Sequence, residues 1–274
     1  MRVSDAQWPD DNADGWMPIV GEWLATFDEV AAGLIEGLYV VGSAALGDWH
    51  AGTSDVDIIA VTAEPADDET SGILRTAHAV FMQRFEQARV DGPFLAWGDL
   101  TVAPHGVSRP WTLDGIFHHD AECFEINPVT WFTLARYSIA VRGTQPRQLQ
   151  IPPDVEGRVR FVVDNAAGYW TAVHAELKGA LGELGPDDTL PSSVPIWCLL
   201  GVCRMLYTAT TGDVTSKAEA GRWAAGVLGD EFAPACELAR RLRFQPEQPV
   251  GVQALRDTSS AMGEVLRRLR IIPR

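Results

Sequence analysis

Apolar positions along this 274-residue chain change their period near the middle. In the first half, short β-branched runs alternate with amphipathic stretches; in the second half the period is helical throughout. From Met17, the positions Met17, Val20, Trp23, Leu24, Phe27, Val30 and Leu34 recur at helical spacing and predict a helix lying on a sheet. Leu38, Tyr39, Val40 and Val41 form a run too short for a helix and predict a buried strand that ends at Gly42-Ser43. Ser54 to Ile59 predicts a second strand, with Val56 and Ile58 facing the core. Ile73, Leu74, Ala77, Val80, Phe81 and Phe85 predict another helix, and a third strand is expected within 90–102. Gly92-Pro93 is awkward inside a strand, because proline cannot donate to a ladder, so an edge or a bulge is implied there. Residues 103–127 are polar with weak periodicity and read as a loop; a short helix to about Tyr137 and a fourth strand, Ile139 to Gly143, follow.

The Pro-rich stretch QPRQLQIPPD, Gln145 to Asp154, predicts a boundary between an α+β domain over 1–150 and an all-α helical bundle over 151–274. The first bundle helix carries Val159, Val162, Val163, Ala166, Tyr169, Trp170, Val173 and Leu177 on one face. Gly185-Pro186 breaks it, and four more helices are expected over about 194–209, 216–228, 232–242 and 252–269, giving an up-and-down bundle.

The polar positions that interrupt the first two strands carry the chemistry. Side chains two apart on a strand share a face, so Asp55 and Asp57 point to one spot beside the Gly42-Ser43 turn. Paired carboxylates suit Mg²⁺, a hard cation completed by phosphate oxygens and water, and small turns let backbone N–H groups approach phosphates. The Ser43 hydroxyl adds a donor. Gly42, Ser43, Gly47, Ser54, Asp55 and Asp57 together resemble the nucleotidyltransferase superfamily of the DNA polymerase β type. That resemblance implies a mixed sheet flanked by helices, and a third carboxylate on a neighbouring strand that holds metal or removes the attacking hydroxyl's proton. Asp91 and Asp99 compete for this place. Similarity to aminoglycoside nucleotidyltransferases of the streptomycin/spectinomycin type, which carry a glutamate at the strand start, favours Asp91, although an aspartate is shorter. Glu125 faces the cleft or serves as an acid at a helix start, and the second reading is preferred.

Two bundle residues sit awkwardly. Arg204 lies in the apolar run Ile196 to Tyr207 and needs an anionic partner, a carboxylate or a phosphate. Lys217 follows Ser216 in a capping-box pattern with Glu219, where a cation opposes the helix dipole. A triphosphate between the domains resolves both. The streptomycin/spectinomycin adenylyltransferases carry an Arg on one bundle helix and a Lys after a Thr-Gly turn, both on ATP, and Arg204, Tyr207, Thr211, Gly212, Lys217 and Trp223 fall in that pattern. In that family acids just before the Arg-bearing helix help bind streptomycin. Thr189 to Pro195 holds no acid, and Asp187 and Asp188 lie earlier, which weakens the case for streptomycin.

Composition changes the picture only at the margins. With 22 Lys and Arg against 37 Asp and Glu, the formal charge is −15, which argues against nucleic acid and suits a cationic partner. Cys123, Cys198, Cys203 and Cys236 have no metal-ligand spacing and read as buried free thiols. His118-His119-Asp120 lacks ligand geometry and is read as structural. The first 15 residues read as a loose acidic arm with no targeting signal, and no run reaches about 18 uncharged apolar residues, so a cytoplasmic protein without membrane association is expected, as a monomer or weak homodimer.

The resemblance implies a resistance enzyme that moves AMP from ATP to a hydroxyl of a cationic, aminoglycoside-like acceptor. Asp55 and Asp57 would hold two Mg²⁺ about 3.5–4 Å apart. Asp91 would complete a metal site or accept the proton. Gly42, Ser43, Ser54, Arg204 and Lys217 would contact the nucleotide. Trp111, Trp170 and Trp197 could stack on the acceptor, but core packing is the preferred reading for each. A protein or other acceptor, or a non-catalytic antitoxin-like nucleotide-binding module, remains the rival reading.

Overall fold

A computed structural model describes residues 15–104, 108–119, 121–245 and 248–273. The expected amino-terminal arm lies outside these residues except for Gly15, and Asp120 lies outside them too. The chain divides into two compact units, Met1–Asp154 and Val155–Arg274.

The first unit is a six-stranded mixed sheet with helices on its faces. Its elements are α1 (Trp16–Val30), β1 (Gly37–Val40), α2 (Gly42–Ala45), β2 (Val56–Thr62), α3 (Asp68–Arg84), β3 (Val90–Ala96), β4 (Trp111–Leu113), β5 (Ile116–His118), α4 (Pro128–Tyr137) and β6 (Ile139–Arg142). The strand order is β5-β4-β3-β2-β1-β6; only β2 and β3 run parallel. Alternation sorts the side chains cleanly. Leu38, Val40, Val56, Ile58 and Phe94 face Val20, Trp23, Leu24 and Phe27 of α1. Tyr39, Val41, Ile59, Val61 and Leu95 face the other way, against Cys123, Ile126, Trp131 and Leu134.

Three expectations change here. The first helix stops at Val30, and Leu34 lies in a following turn. Strand β3 is interior rather than an edge: it pairs with β2 and β4, and its ladder to β2 skips Gly92 and Pro93 without changing register. Gly92 has φ +144°, and a Cβ there would stand 1.9 Å from the Ile58 carbonyl oxygen, so close strand approach at this point requires glycine. The stretch read as a loop contains the β4–β5 hairpin, turned by Asp114 at φ 51° and Gly115 at φ 77°. That is a two-residue turn of the Asp-Gly kind, whose signal was present in WTLDGIF.

The second unit holds α5 (Val155–Asn165), a π-helical turn (Ala166–Trp170), α6 (Thr171–Glu183), α7 (Ser193–Thr211), α8 (Lys217–Leu228), α9 (Ala233–Leu242) and α10 (Val252–Arg270). The π turn joins α5 and α6 into one long rod. Helix α7 packs against α5, α8, α9 and α10, so it is a hub rather than one member of a simple up-and-down array. It is also long and apolar enough to cross a membrane by composition, but here half of it is buried as the bundle core. A two-residue pairing of β7 (Thr189–Leu190) with β8 (Val250–Gly251), absent from the all-α expectation, ties the entry of α7 to that of α10.

Candidate active site

The site grows from the β1–β2 connection. Gly42 leaves β1 with φ +58°, and a Cβ built on it would lie 1.6 Å from Asp57 Oδ2. Only glycine allows the backbone to lie against that carboxylate. The next amide, Ser43 N–H, donates to Asp57 Oδ2 at 3.4 Å. Ser43 Oγ is buried and has no hydrogen-bond partner. The loop closes on itself: Ser54 N–H donates to the His50 carbonyl at 2.9 Å, while Ser54 Oγ accepts from His50 N–H at 3.1 Å. Strand β2 begins at Val56, so exposed Asp55 stands just before it and Asp57 within it.

Parallel pairing brings Asp91 directly opposite Asp57 in register. Asp91 is 1 % exposed, and neither of its oxygens meets hydrogen-bond geometry with a partner. An unpaired carboxylate out of water is costly to ionise. Burial pushes its pKa up to about 7, against the opposing pull of the Asp114 backbone and with lesser repulsion from Asp55, Asp114 and Asp57. Asp99, the competing acid, is spoken for. It sits in a 3-10 turn after β3, where Arg109 grips it through two hydrogen bonds of 2.8 and 2.7 Å and its Oδ2 accepts from Ala96 N–H at 2.8 Å.

Glu125 departs from the preferred expectation. Helix α4 starts at Pro128 with Asn127 as its cap, and no acid stands in its first turn. Glu125 lies before the cap, half-buried, and desolvation together with the charges of Asp57, Asp91 and Asp55 holds its pKa well above the usual carboxylate range. A fourth carboxylate thus belongs to the cluster. Its signal in the sequence was only its place two residues before an Asn-Pro helix start.

Among the described residues no group of three or more His, Cys, Asp or Glu side chains is arranged to hold a metal ion unaided. The donor set still fits Mg²⁺, which is usually held by one or two carboxylates plus substrate phosphates and water rather than by a protein cage. Asp91's two orphaned buried oxygens are what such a cation would satisfy. A cavity of about 760 Å³ opens beside Asp55, lined also by Trp49, Ser54, Arg89 and Asp114.

The remaining candidates separate by role. Trp111 is buried, its indole N–H donates to the Ala121 carbonyl at 3.1 Å, and its ring stacks on His118 at 4.2 Å, so it is core rather than a free platform. Trp170 is buried against Trp197, which is 42 % exposed. In the second unit Arg204 is half-buried rather than enclosed. Lys217 opens α8 behind Ser216, whose Oγ accepts from Glu219 N–H at 3.2 Å; the Glu219 carboxylate turns to Arg222. Tyr207 and Trp223 meet edge to face at 5.4 Å. Sequence reasoning missed Arg158, which is 3 % exposed and donates through Nε at 3.0 Å and through Nη2 to the Gly212 carbonyl, capping the end of α7. Asp188 Oδ2 accepts from Gly185 N–H at 2.8 Å within its own turn.

Residues 27–92 match the nucleotidyltransferase domain, and residues 162–265 match the aminoglycoside adenylyltransferase C-terminal domain. The chain belongs to the aminoglycoside nucleotidyltransferase family. It is a nucleotidyltransferase enzyme, built as a mixed-sheet nucleotidyltransferase domain followed by a helical carboxy-terminal part. Its fold is similar to that of spectinomycin adenyltransferase AAD(9) from Enterococcus faecialis, solved with ATP and spectinomycin. The TM-score is 0.63 at 15 % identity, covering 92 % of this chain and 98 % of that one. No curated protein matches the sequence.

Proposed function

We propose that this nucleotidyltransferase moves AMP from ATP to a hydroxyl of an aminoglycoside-like antibiotic, with pyrophosphate leaving. The observation that carries this reading is the pair Asp57 and Asp91, opposite in register, with Asp91 buried and unpartnered beside the Gly42-Ser43 turn. The ATP and spectinomycin of the AAD(9) structure support ATP as donor and spectinomycin as the first acceptor to try. Streptomycin ranks behind it, because the run Thr189 to Pro195, which leads into the first turn of α7, holds no acid for a cationic ring. The formal charge of −15 suits a cationic acceptor arriving by diffusion.

Asp55, Asp57 and Asp91 are the residues that would hold Mg²⁺, which supplies charge neutralisation for the triphosphate and its leaving group. The Gly42 turn brings backbone N–H groups to the phosphates, with Ser43 and Ser54 adding hydroxyl donors. Arg204 and Lys217 are the further cations proposed for nucleotide binding. The acceptor oxygen attacks the α-phosphorus, the bond to the β-phosphate oxygen breaks, and a carboxylate takes the hydroxyl proton. The protein is expected to act in the cytoplasm, where its four buried thiols stay reduced.

The test is pyrophosphate release from Mg-ATP with spectinomycin, streptomycin and the deoxystreptamine aminoglycosides as acceptors. Acceptor-dependent release, greatest with spectinomycin, is the expected result. Tight Mg-ATP binding without release for any of them would overturn the small-molecule reading in favour of a macromolecular acceptor or a binding module.

A further inference from the structure

The proton acceptor of the proposed reaction must touch a hydroxyl that arrives from solvent. Asp91 is badly placed for that. It is the second residue of β3, an interior strand of the sheet, 1 % exposed, on a side chain one methylene shorter than a glutamate. Its geometry suits holding a cation that comes to it.

Glu125 has the opposite properties. Its neighbours Cys123 and Ile126 are buried in the apolar layer that contains Ile59, Val61 and Leu95. By strand alternation Asp57 shares the face of Ile59, and Asp91 that of Leu95, so Glu125 is held on the carboxylate face of the sheet. The turn is fixed by Ile126 N–H to the Cys123 carbonyl at 3.1 Å, Asn127 N–H to the Glu125 carbonyl at 3.0 Å, and Asn127 Nδ2 to the Phe124 carbonyl at 2.9 Å. Asn127 Oδ1 accepts from Val129 N–H and Thr130 N–H at 2.9 and 3.0 Å, so the helix end is satisfied without Glu125. Glu125 itself is half-buried rather than enclosed, and its side chain has the longer reach.

We infer that Glu125 is the catalytic residue that accepts the acceptor's hydroxyl proton, while Asp91 serves the metal. This assignment rests on the adenylyl-transfer reading above. In the step, the acceptor oxygen forms its bond to the α-phosphorus, the bond from the α-phosphorus to the bridging oxygen breaks, pyrophosphate leaves with that electron pair, and the hydroxyl proton goes to a Glu125 carboxylate oxygen.

The test compares Glu125→Gln, Glu125→Asp and Asp91→Asn in the full chain. Two readouts are taken: affinity for Mg²⁺ with a non-hydrolysable ATP analogue by calorimetry, and acceptor-dependent pyrophosphate release. Glu125→Gln is expected to bind the analogue within about threefold of wild type while kcat falls at least about 100-fold, the range of general-base catalysis. Glu125→Asp should retain part of kcat, which separates a lost base from a lost fold, and Asp91→Asn should lose analogue affinity. If Glu125→Gln keeps kcat within about threefold, or loses analogue affinity along with rate, the assignment is wrong. A silent wild type would overturn the reading beneath it as well, whereas an active wild type with an active Glu125→Gln overturns this assignment alone.

Discussion

The sheet unit and the helical unit treat buried polar groups in opposite ways. Among the described residues, the sheet unit carries a group of buried side-chain polar atoms without a hydrogen-bond partner, including both oxygens of Asp91 and the hydroxyl of Ser43, next to Asp57. In the bundle, buried groups are used to join helices. Arg158 caps α7, and His174 Nε2 lies 2.8 Å from the Ser259 carbonyl, bridging α6 and α10. An unsatisfied buried carboxylate destabilises a fold, so its persistence in one unit marks where stability is surrendered to chemistry.

The sharpest way to break this contrast is Asp57→Asn. It should lower acceptor-dependent pyrophosphate release by about 10³-fold or more while leaving the thermal midpoint little changed, because catalytic carboxylates that act as a unit fail together. A variant that released pyrophosphate normally would remove the sheet unit's claim to the chemistry.

Asp91→Asn tests the cost directly. Its folded pKa of about 7 lies above the unfolded carboxylate value, so the native state is favoured at low pH and loses stability as pH rises from about 4 through 7. In the presence of a chelator at pH 8 the Asn variant should therefore be more stable than wild type, by roughly 2–4 kcal/mol, with the difference vanishing below about pH 4. Denaturant unfolding at the two pH values decides it; equal stability at pH 8 would mean the carboxylate is not strained.

Arg158→Ala should act in the reverse sense. Removing a buried donor from the Gly212 carbonyl is expected to destabilise the protein by about 1–3 kcal/mol at every pH between 5 and 8. Lysine should not restore it, since one ammonium cannot reproduce the two guanidinium contacts. The smallest effect belongs to the half-exposed ion pair joining α1 to β6, where Arg142 Nη2 meets Asp28 Oδ2 at 2.5 Å. Hydrogen bonding to Arg142 lowers the Asp28 pKa, so its contribution is present above the unfolded carboxylate pKa and is lost as pH falls through the folded one. Asp28→Asn should cost about 1 kcal/mol near neutral pH and shrink toward zero in acid, as urea midpoints would register.

What the sequence alone determined was whatever depends on near neighbours. Asp55 and Asp57 share a face because a strand repeats every two residues, and the strand, turn and strand from Leu38 to Ile59 follow from a local apolar pattern with glycines between. The helices after residue 154 follow from a 3.6-residue period that needs no partner to be visible. Tertiary structure decided everything that joins distant segments. Asp99 is withdrawn by Arg109 from beyond the strand, and Asp91 is set opposite Asp57 by a parallel ladder. Glu125 is brought to the same face by the packing of Cys123 and Ile126, and Arg158 reaches a carbonyl 54 residues away. Periodicity states which way a side chain points along its own element. Which carboxylate ends up buried, paired or free depends on the elements that close over it, and only the folded chain holds that information.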